Sequence, residues 1–330
     1  MPFLACRVFQ EGRGTVARLE QMEVDALTPG DVVIRAEWSG VNFKDALAVT
    51  GRGRILKRVP LNAGIDVAGR VESSSDPRLR PGDAVLVNGM GLGETHDGGF
   101  AAVVRVPAEW VVPMPRGLTS SEAMTLGTAG FTAGLALHRM EVNGQTPAGG
   151  PIIVTGATGG VGSAAVSMLS ARGYQVVAVS GRPEHEAYLR SLGAHEVTTP
   201  EGLQLGTRPL ESARFGGVID NVGGSLLAGL LRHVRPWGNV GAIGMAGGAD
   251  FQASVFPFIL RGVSLLGASS MDCPMPLRTE IWKRLGGDLK PAHLAQIASA
   301  TVPLREVIPA CEKLMERQAR GRILVDCRDQ

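Results

Sequence analysis

Residues 154–162, which read Val-Thr-Gly-Ala-Thr-Gly-Gly-Val-Gly, decide the fold class of this chain. They continue an apolar run, Ile152–Thr155, and lead into a stretch with helical character at 161–172. A buried strand that turns through glycines into a helix is typical of a nucleotide-binding α/β domain.

Three small residues of this turn stand at the spacing of the dinucleotide-binding fingerprint, with Ala157 in the first glycine position and Gly159 and Gly162 in the others. Gly159 lets the backbone approach a pyrophosphate, Gly162 lets the helix pack on the strand, and the helix N-terminus attracts the anion. A tight turn without a ligand is the alternative, but the strand–helix context favours the dinucleotide. The predicted cofactor loop comprises Ala157, Thr158, Gly159, Gly160, Val161 and Gly162.

The end of the next predicted strand, 175–180, distinguishes the two nicotinamide cofactors. An NAD site places Asp or Glu there to bind the ribose hydroxyl, whereas this chain reads Ser180-Gly181-Arg182 and its next carboxylate, Glu184, comes later. Ser180 can donate to a 2′-phosphate and Arg182 can pair with it. These residues therefore predict NADPH, although Arg182 could instead be a solvated loop charge.

The surrounding segments predict an α/β protein with two kinds of domain. Strands at 217–220, 239–243 and Ser264–Gly267, with a helix at 183–192, indicate a doubly wound parallel sheet. The first 120 or so residues are β-rich, because short strands alternate there with Pro and Gly turns. The remaining predicted elements are strands at 31–36, 84–87, 101–106 and 322–325 and helices at 277–285 and 304–317.

Length and composition exclude several classes of protein. The 330 residues suffice for about two domains. A net charge of +2 argues against a nucleic-acid-binding protein, and a hydrophobic share of 44% excludes global disorder. The four cysteines form no Cys-x-x-Cys pair, so we expect neither a disulfide scaffold nor a zinc ribbon. Without an apolar leader or a membrane-spanning run, a cytoplasmic protein with a small-molecule substrate and no membrane partner is expected.

Two turns in the first half resemble the turns that carry catalytic zinc ligands in the medium-chain dehydrogenase/reductase superfamily: residues 40–45 (Gly-Val-Asn-Phe-Lys-Asp) and 64–66 (Gly-Ile-Asp). The resemblance implies a β-rich GroES-like substrate domain at 1–122 and 268–330, and an inserted Rossmann NADP(H)-binding domain at 123–267. Asn42, Ile65 and Asp66 stand at the ligand positions. Because zinc takes Cys, His or carboxylate ligands, usually three or four, we expect no metal, as in the zinc-free quinone-oxidoreductase branch.

Within that branch the chain is similar to the acryloyl-CoA reductase group, in segments 41–48, 60–66, 88–94, 127–133 and 257–262. The resemblance implies NADPH-dependent reduction of the C=C bond of acryloyl-CoA to propanoyl-CoA, and commonly a homodimer. The chain departs from the group at three positions aligned to the substrate cleft. Phe43 replaces a tyrosine, and Met90 and Asp97 replace tryptophans. Alternative functions are an NADPH:quinone or enone reductase that clears reactive electrophiles, and an NADPH-binding sensor or structural protein.

Reduction of an activated double bond needs a hydride donor, a group that polarises the carbonyl and a proton for the α-carbon. NADPH supplies the hydride, and backbone N–H groups or the Asn42 amide can polarise the carbonyl. Both tyrosines, Tyr174 and Tyr188, lie in the nucleotide-binding half, so the proton is expected from water, Asp45 or Lys44. Asn42, Lys44 and Asp45 are therefore the predicted catalytic residues, with turn capping as the alternative role.

A basic loop follows this turn and contains Arg52, Arg54, Lys57 and Arg58. The phosphates of coenzyme A would suit such a cluster, and a solvated charged loop is the alternative. The predicted substrate-binding residues are Phe43, Arg52, Arg54, Asp66 and Met90.

Resemblance adds the remaining candidate residues. Thr128, Gly244 and Met245 are expected at the nicotinamide, and Arg322 at the cofactor phosphates. Asn221 follows a strand of the parallel sheet at its carboxyl end, where ligands bind in such folds. The last candidate, His96 in a glycine-rich loop, is either a general acid or a surface histidine.

Overall fold

The computed structural model describes residues 2–328, which form two compact units. Among these residues, the first unit comprises 2–128, Met271–Gly286 and 297–328, and the second comprises Ala129–Ser270 and Gly287–Gln296. The strands are β1 (Phe3–Glu11), β2 (Gly14–Met22), β3 (Val32–Val41), β4 (Leu61–Asn62), β5 (Asp66–Ser74), β6 (Ala84–Asn88), β7 (Val103–Val106), β8 (Val112–Pro113), β9 (Ile152–Thr155), β10 (Val176–Val179), β11 (Glu196–Thr198), β12 (Phe215–Asp220), β13 (Val234–Ala242), β14 (Ser264–Gly267), β15 (Ala298–Pro303) and β16 (Arg322–Asp326). The α-helices are α1 (Phe43–Val49), α2 (Ser120–Val142), α3 (Gly160–Ala171), α4 (Glu186–Ser191), α5 (Gly224–Leu231), α6 (Phe256–Arg261), α7 (Met275–Leu285), α8 (Leu294–Ile297) and α9 (Val307–Met315).

The first unit is the β-rich, GroES-like part of the chain. One sheet has the order β15-β16-β3-β5-β6-β8, with β7 also paired to β3, and a second has the order β2-β1-β4. Strands β3 and β5 alternate buried and exposed side chains over part of their length, as expected of strands with one face in a core. Val8, Ile34, Val67 and Phe100 belong to that core. The candidate catalytic residues of this unit lie at the start of α1: Asn42 is its N-cap, and Lys44 and Asp45 are in its first turn.

The second unit is a doubly wound α/β domain. Its six strands are all parallel, in the order β11-β10-β9-β12-β13-β14. Strands β9 and β10 are buried along their whole length, which explains why they read as unbroken apolar runs. The direction of winding reverses between β9 and β12, and ligands of such folds bind at the carboxyl ends of the strands beside this reversal. The predicted fold class is confirmed.

Segment 287–296 differs from the predicted domain division, which placed everything after residue 267 in the first domain. The structure assigns it to the second unit. Arg172 forms an ion pair with Asp288 at 3.5 Å, and Ser191 donates a hydrogen bond to Gln296 at 2.8 Å. These side-chain contacts hold the segment to α3 and α4.

Helix α2 and the β1–β2 hairpin are additional elements that the sequence analysis did not predict. Helix α2 is interrupted at Gly127, whose φ of 50° and ψ of −155° are not helical. The hairpin pairs Phe3 with Met22 and Glu11 with Gly14. Within the described range, none of the helices has both the length and the apolar character needed to cross a bilayer.

Candidate active site

The glycine-rich loop joins β9 to α3 in the geometry of a phosphate-binding turn. Gly156 has a φ of 58°, and Gly159 occupies the N-cap of α3, which begins at Gly160. A Cβ on Gly162 would collide with the carbonyl oxygen of Gly156 and lie 2.6 Å from Cα of Ala157. Only glycine therefore lets α3 approach the loop this closely, and the first N–H groups of a 12-residue helix remain available to an anion.

Ser180 and Arg182 lie beside this loop in the same unit. The Arg182 N–H donates to Oγ of Ser180 at 3.1 Å, and Nη2 of Arg182 donates to Oγ1 of Thr158 at 2.7 Å. Thr158 belongs to the glycine-rich loop, so two hydroxyls and a guanidinium converge at the end of β10. This set of donors fits a 2′-phosphate, which a carboxylate in the same place would repel.

Asn221 provides a second feature that fits a bound nucleotide. Its N–H donates to Oγ1 of Thr155 at 2.9 Å and its Nδ2 to the carbonyl oxygen of Thr155 at 2.7 Å. Its Oδ1 is buried and has no hydrogen-bond partner among the described residues. Gly244 packs directly against Asn221, because a Cβ on Gly244 would collide with the carbonyl oxygen of Asn221. The next residue, Met245, is 70% exposed. An orphaned acceptor at the carboxyl end of β12 is what an amide-bearing ligand would satisfy.

Asn42 is the centre of a polar network in the first unit. Its Nδ2 donates to Oδ2 of Asp45 at 3.0 Å and to Oδ2 of Asp66 at 2.8 Å. Its Oδ1 accepts a hydrogen bond from Nη1 of Arg322 at 2.7 Å. Both ends of the amide are thus engaged inside the protein, and the predicted direct role of Asn42 in polarising a substrate carbonyl is not supported.

Asp66 connects this network to the interruption in α2. It accepts hydrogen bonds from the N–H of Thr128 at 2.9 Å and from its hydroxyl at 2.6 Å. The non-helical backbone of Gly127 turns the Thr128 N–H towards the carboxylate. A Cβ on Gly127 would lie 2.5 Å from Oδ2 of Asp66 and 2.6 Å from Nη2 of Arg322, so the network requires glycine there.

Asp45 is a buried acid, with 1% of its surface exposed. It accepts hydrogen bonds from the N–H groups of Asn42 and Ile65, both at 2.9 Å. Burial first and the negative charge of Asp66 second raise the pKa of Asp45 to about 7, despite these donors. Because Asp45 is enclosed, the structure does not support its predicted role as a direct proton donor to substrate.

The other predicted groups of this unit also have internal partners. Lys44 forms an ion pair with Glu94 at 2.7 Å. Arg322, predicted at the cofactor phosphates, is 3% exposed and lies 3.4 Å from Asp66, so its guanidinium is engaged inside the first unit. Burial lowers the pKa of Arg322, and the nearby carboxylates oppose that effect. Its role is to balance buried negative charge.

Two loop residues, His96 and Asp97, are structural. Nε2 of His96 lies 2.8 Å from the carbonyl oxygen of Arg105, and burial lowers the pKa of the ring. The ring is therefore neither a surface group nor a general acid for neutral pH. Asp97, expected in the cleft, is buried and accepts hydrogen bonds from the N–H groups of Thr28 at 2.8 Å and Asn62 at 2.9 Å.

Phe43 and Met90 remain accessible in part. Phe43 begins α1 beside Asn42 and is 61% exposed, while Met90 is partly exposed and has a φ of 58°. Arg52 and Arg54 are exposed and line a cavity beside the same helix. Three of these four predicted substrate contacts, Phe43, Arg52 and Arg54, therefore lie at or near α1, whereas Met90 follows β6.

Sequence reasoning missed a supporting layer around Asn88. Nη1 of Arg278 donates to Oδ1 of Asn88 at 2.9 Å, and Nε1 of Trp282 donates to the same oxygen at 2.8 Å. Nδ2 of Asn88 lies 3.4 Å from Oγ1 of Thr128, so this layer supports the Asp66 network. No local pattern marks an arginine in an amphipathic helix as buried, and only the fold pairs it with Asn88.

The donor set of the first unit does not fit a zinc ion. The amide of Asn42 presents N–H groups to both carboxylates, and the Arg322 guanidinium supplies the positive charge at Asp66. Across residues 2–328, the structure assembles no group of three or more His, Cys, Asp or Glu side chains that could hold a metal.

Comparisons with known proteins agree with this architecture. Residues 28–116 match the family "Alcohol dehydrogenase GroES-like domain" and residues 160–285 match the family "Zinc-binding dehydrogenase". The chain is 45% identical to "Probable acrylyl-CoA reductase AcuI" of Escherichia coli (strain K12), over 96% of this chain and 97% of that protein. It is 43% identical to "Putative quinone oxidoreductase YhfP" of Bacillus subtilis (strain 168), over 98% of each.

Two solved structures extend the similarity to three dimensions. Escherichia coli K-12 YHDH with bound NADPH has a TM-score of 0.93 at 43% identity, covering 98% of this chain and 99% of that one. Bacillus subtilis yhfP with NAD bound has a TM-score of 0.96 at 42% identity, covering 99% of each. By its two domains, its full-length relatives and the residues at its ligand positions, the chain belongs to the zinc-free, quinone-oxidoreductase branch of the medium-chain dehydrogenase/reductase superfamily.

Proposed function

We propose that this protein is an NADPH-dependent oxidoreductase that reduces the C=C bond of an α,β-unsaturated thioester, with acryloyl-CoA converted to propanoyl-CoA. The observation that carries the proposal is the 45% identity, over 96% of the chain, to a protein named as an acrylyl-CoA reductase. The network around Asn42 supports a reaction without a metal, because an amide and a guanidinium, which are not zinc ligands, already bond the Asp66 carboxylate.

NADPH is the proposed cofactor, held by the glycine-rich loop and by Ser180 and Arg182. YHDH binds NADPH in its crystal structure, whereas yhfP was crystallised with NAD. The hydroxyl and guanidinium donors at the end of β10, without a carboxylate, favour the phosphorylated form here. Bound NADPH supplies the hydride for the reaction. Asn221 and Gly244 are proposed to hold the cofactor, with Met245 and Thr128 as further candidates.

We infer that water delivers the proton to the α-carbon. Asp45 is enclosed and Lys44 is paired with Glu94. The hydroxyl of Tyr174 donates to the carbonyl oxygen of Gln145 at 3.2 Å, and that of Tyr188 donates to Ser163 at 2.9 Å. Each protein hydroxyl or acid considered for the role thus has an internal partner, and the network around Asn42 acts by positioning α1 and the exposed Phe43.

The test is NADPH oxidation at 340 nm with acryloyl-CoA and 1,4-benzoquinone in parallel, each repeated with NADH and with a chelator. Turnover of the CoA ester with NADPH, unchanged by chelator, is the expected result. Turnover of the quinone alone would refute the thioester assignment. Tight NADPH binding with no oxidation by either substrate would instead indicate a sensor or structural protein.

The second candidate function is an NADPH:quinone or enone reductase, and the name of YhfP favours it. The basic loop separates the two candidates, because a quinone carries no phosphate. Reversing the charges of Arg52 and Arg54 should raise the KM for acryloyl-CoA about tenfold relative to the KM for the quinone. Equal changes for both substrates would mean that the basic loop does not recognise coenzyme A and does not favour the thioester over the quinone.

We also propose a cytoplasmic homodimer. Strand β14 is an edge of the six-stranded sheet, and exposed apolar side chains on and before it, Val255, Ile259, Leu260 and Leu265, offer a surface that a second copy would cover. Light scattering should give twice the chain mass for the wild type and a lower mass for Ile259→Glu. A monomeric wild type would contradict the dimer.

The proposed cytoplasmic location is supported by the four cysteines, which are buried free thiols and suit a reducing compartment.

A further inference from the structure

A cavity of about 440 Å³ lies in the first unit, between the β1–β2 hairpin and the basic loop that follows α1. The hairpin contributes Arg13 and Thr15, and the loop contributes residues 51–59. The two walls are in close contact at Gly51, where φ is 67° and a Cβ would lie 2.8 Å from the carbonyl oxygen of Thr15. The volume falls within the range of small-molecule sites.

The charge of this cavity has one sign. Five cations line it, namely Arg13, Arg52, Arg54, Lys57 and Arg58, and no Asp or Glu does. The whole chain is nearly balanced, with 33 basic and 31 acidic residues, so the cations are concentrated here rather than spread evenly. A cleft lined by one sign of charge attracts an oppositely charged ligand.

Among residues 2–328, most of these cations have no charged partner. Nε of Arg58 donates to the carbonyl oxygen of Thr95 at 3.1 Å, which anchors that side chain. In the part of the chain that the structure describes, no ion pair involves the other four, Arg13, Arg52, Arg54 and Lys57. Mutually repelling cations without carboxylates are the arrangement that a multiply charged phosphate ligand would stabilise.

The cavity also has the composition and position for a nucleotide on a flexible arm. Ile55, Leu56 and Val59 provide apolar surface for a base. Ala48, near the end of α1, lines the cavity, and Asn42 precedes the start of the same seven-residue helix. The two ends of α1 are about 10 Å apart at 1.5 Å per residue, so one extended ligand can reach both the cavity and Phe43.

We propose that this cavity binds the phosphorylated nucleotide of coenzyme A, with Arg13 and Lys57 acting beside Arg52 and Arg54. The inference rests on the proposed thioester reductase function and specifies the carrier of its substrate. It makes the enzyme selective for CoA thioesters over the same acyl group on a shorter thiol.

Calorimetric titration of the full chain with CoA, 3′-dephospho-CoA and pantetheine tests the site without any turnover. CoA should bind, dephospho-CoA should bind more weakly, and pantetheine should give no measurable heat. Charge reversal in R52E/R54E should weaken CoA binding at least about tenfold. The neutral variant R52Q/R54Q should weaken it less, and both variants keep the fold because these side chains are exposed.

The matched control is R80E/R116E, which changes the net charge equally at two exposed positions of the same unit outside the cavity. It should leave CoA affinity within about twofold of the wild type, since distant surface charges are screened by salt. Equal weakening in both double variants, or CoA affinity unchanged in R52E/R54E, would overturn the proposal. ATP or pyrophosphate competing as well as CoA would mean a general polyanion site and would also overturn it.

The outcome is separable from that of the reductase proposal. If acryloyl-CoA is not reduced but CoA binds and R52E/R54E loses it, the cavity assignment stands and the proposed reaction fails. If acryloyl-CoA is reduced while CoA affinity is insensitive to R52E/R54E, the reaction stands and the cavity assignment fails.

Discussion

Nη1 of Arg322 lies 2.7 Å from Oδ1 of Asn42, and this contact joins two residues that are 280 positions apart in the chain. Because the guanidinium faces the amide oxygen, the amide nitrogen must face the carboxylates of Asp45 and Asp66. The network therefore places one fixed cation among two buried acids. Asn42 and Asp66 are thus held in place by the Arg322 guanidinium and by each other.

Loss of the Arg322 guanidinium should destabilise the first unit strongly. Arg322→Met leaves the buried Asp66 carboxylate without its cation, and we expect a loss of about 3–5 kcal/mol in the free energy of unfolding, measured with urea. Arg322→Lys keeps the charge but cannot contact both Asn42 and Asp66 as the two guanidinium nitrogens do, so it should recover only part of the lost stability.

The control for this prediction is Arg328→Met, which removes an arginine that is exposed and paired with Asp326. It should cost no more than about 1 kcal/mol. The NADPH dissociation constant of folded Arg322→Lys should equal that of the wild type. A marked rise in this dissociation constant would instead support the predicted contact between Arg322 and the cofactor phosphates.

Ionisation of Asp45 should lower the free energy of unfolding as the pH rises from about 4 to 7. Its folded-state pKa of about 7 is above the ordinary value of 3.8, so the native state keeps a proton that the unfolded state releases. The stabilising contribution is complete below about pH 4 and is lost towards pH 7, at up to about 1.4 kcal/mol per pH unit.

Asp45→Asn has no proton to lose, and its free energy of unfolding should decline less between pH 5 and pH 7 than that of the wild type. Urea titrations of both proteins at the two pH values measure the difference, because the remaining carboxylates contribute equally to each. Identical declines would show that Asp45 is ionised throughout this range.

The buried parallel strands were predictable because burial on both faces produces a continuous apolar run. Strand β9 is the example: its predicted bounds agree with the structure, and helix α3, which follows it, differs by one residue at each end. The bounds of the edge strand β14 also agree, although its side chains are only partly buried. Strand β2 has mostly exposed or partly exposed side chains and lacks alternation, so nothing in its sequence marks a strand. Helix α2 contains Gly127 and Gly130, which resemble a turn in sequence.

The candidate site likewise contains residues that local sequence predicts and residues that only the fold brings together. Ser180, Arg182 and the glycine-rich loop are close in sequence to the strands that position them, so local pattern sufficed. Arg322 meets its partner only through the antiparallel pairing of β16 with β3. No local signal distinguishes a buried arginine of this kind from one that binds phosphate, and its contacts with Asn42 and Asp66 are visible only in the fold.

Gly127→Ala should destabilise the protein far more than an alanine at an unconstrained glycine. The new Cβ would lie 2.5 Å from Oδ2 of Asp66 and 2.6 Å from Nη2 of Arg322, with a positive φ in addition. We expect a loss of about 3 kcal/mol or more from strain and overpacking. Gly144→Ala is the control, since its φ is 83° but nothing lies within 4 Å, and it should cost about 1–2 kcal/mol. Equal losses would mean that the contact with Asp66 and Arg322 is unimportant.

Arg182→Ala should reduce the preference for NADPH over NADH. The guanidinium is held at 2.7 Å from Oγ1 of Thr158, so its loss removes a charge-assisted contact to the 2′-phosphate and leaves the glycine-rich loop in place. We expect the kcat/KM for NADPH to fall roughly ten- to a hundredfold, with NADH nearly unaffected, because a contact to a charged group contributes about 1.5–3 kcal/mol. Initial rates at 340 nm with each cofactor measure the ratio. Arg190→Ala, in the same unit and paired with Glu186 on the surface, should leave the ratio unchanged. If Arg182→Ala also leaves it unchanged, the side chain is a solvated loop charge and Ser180 alone must account for the choice of cofactor.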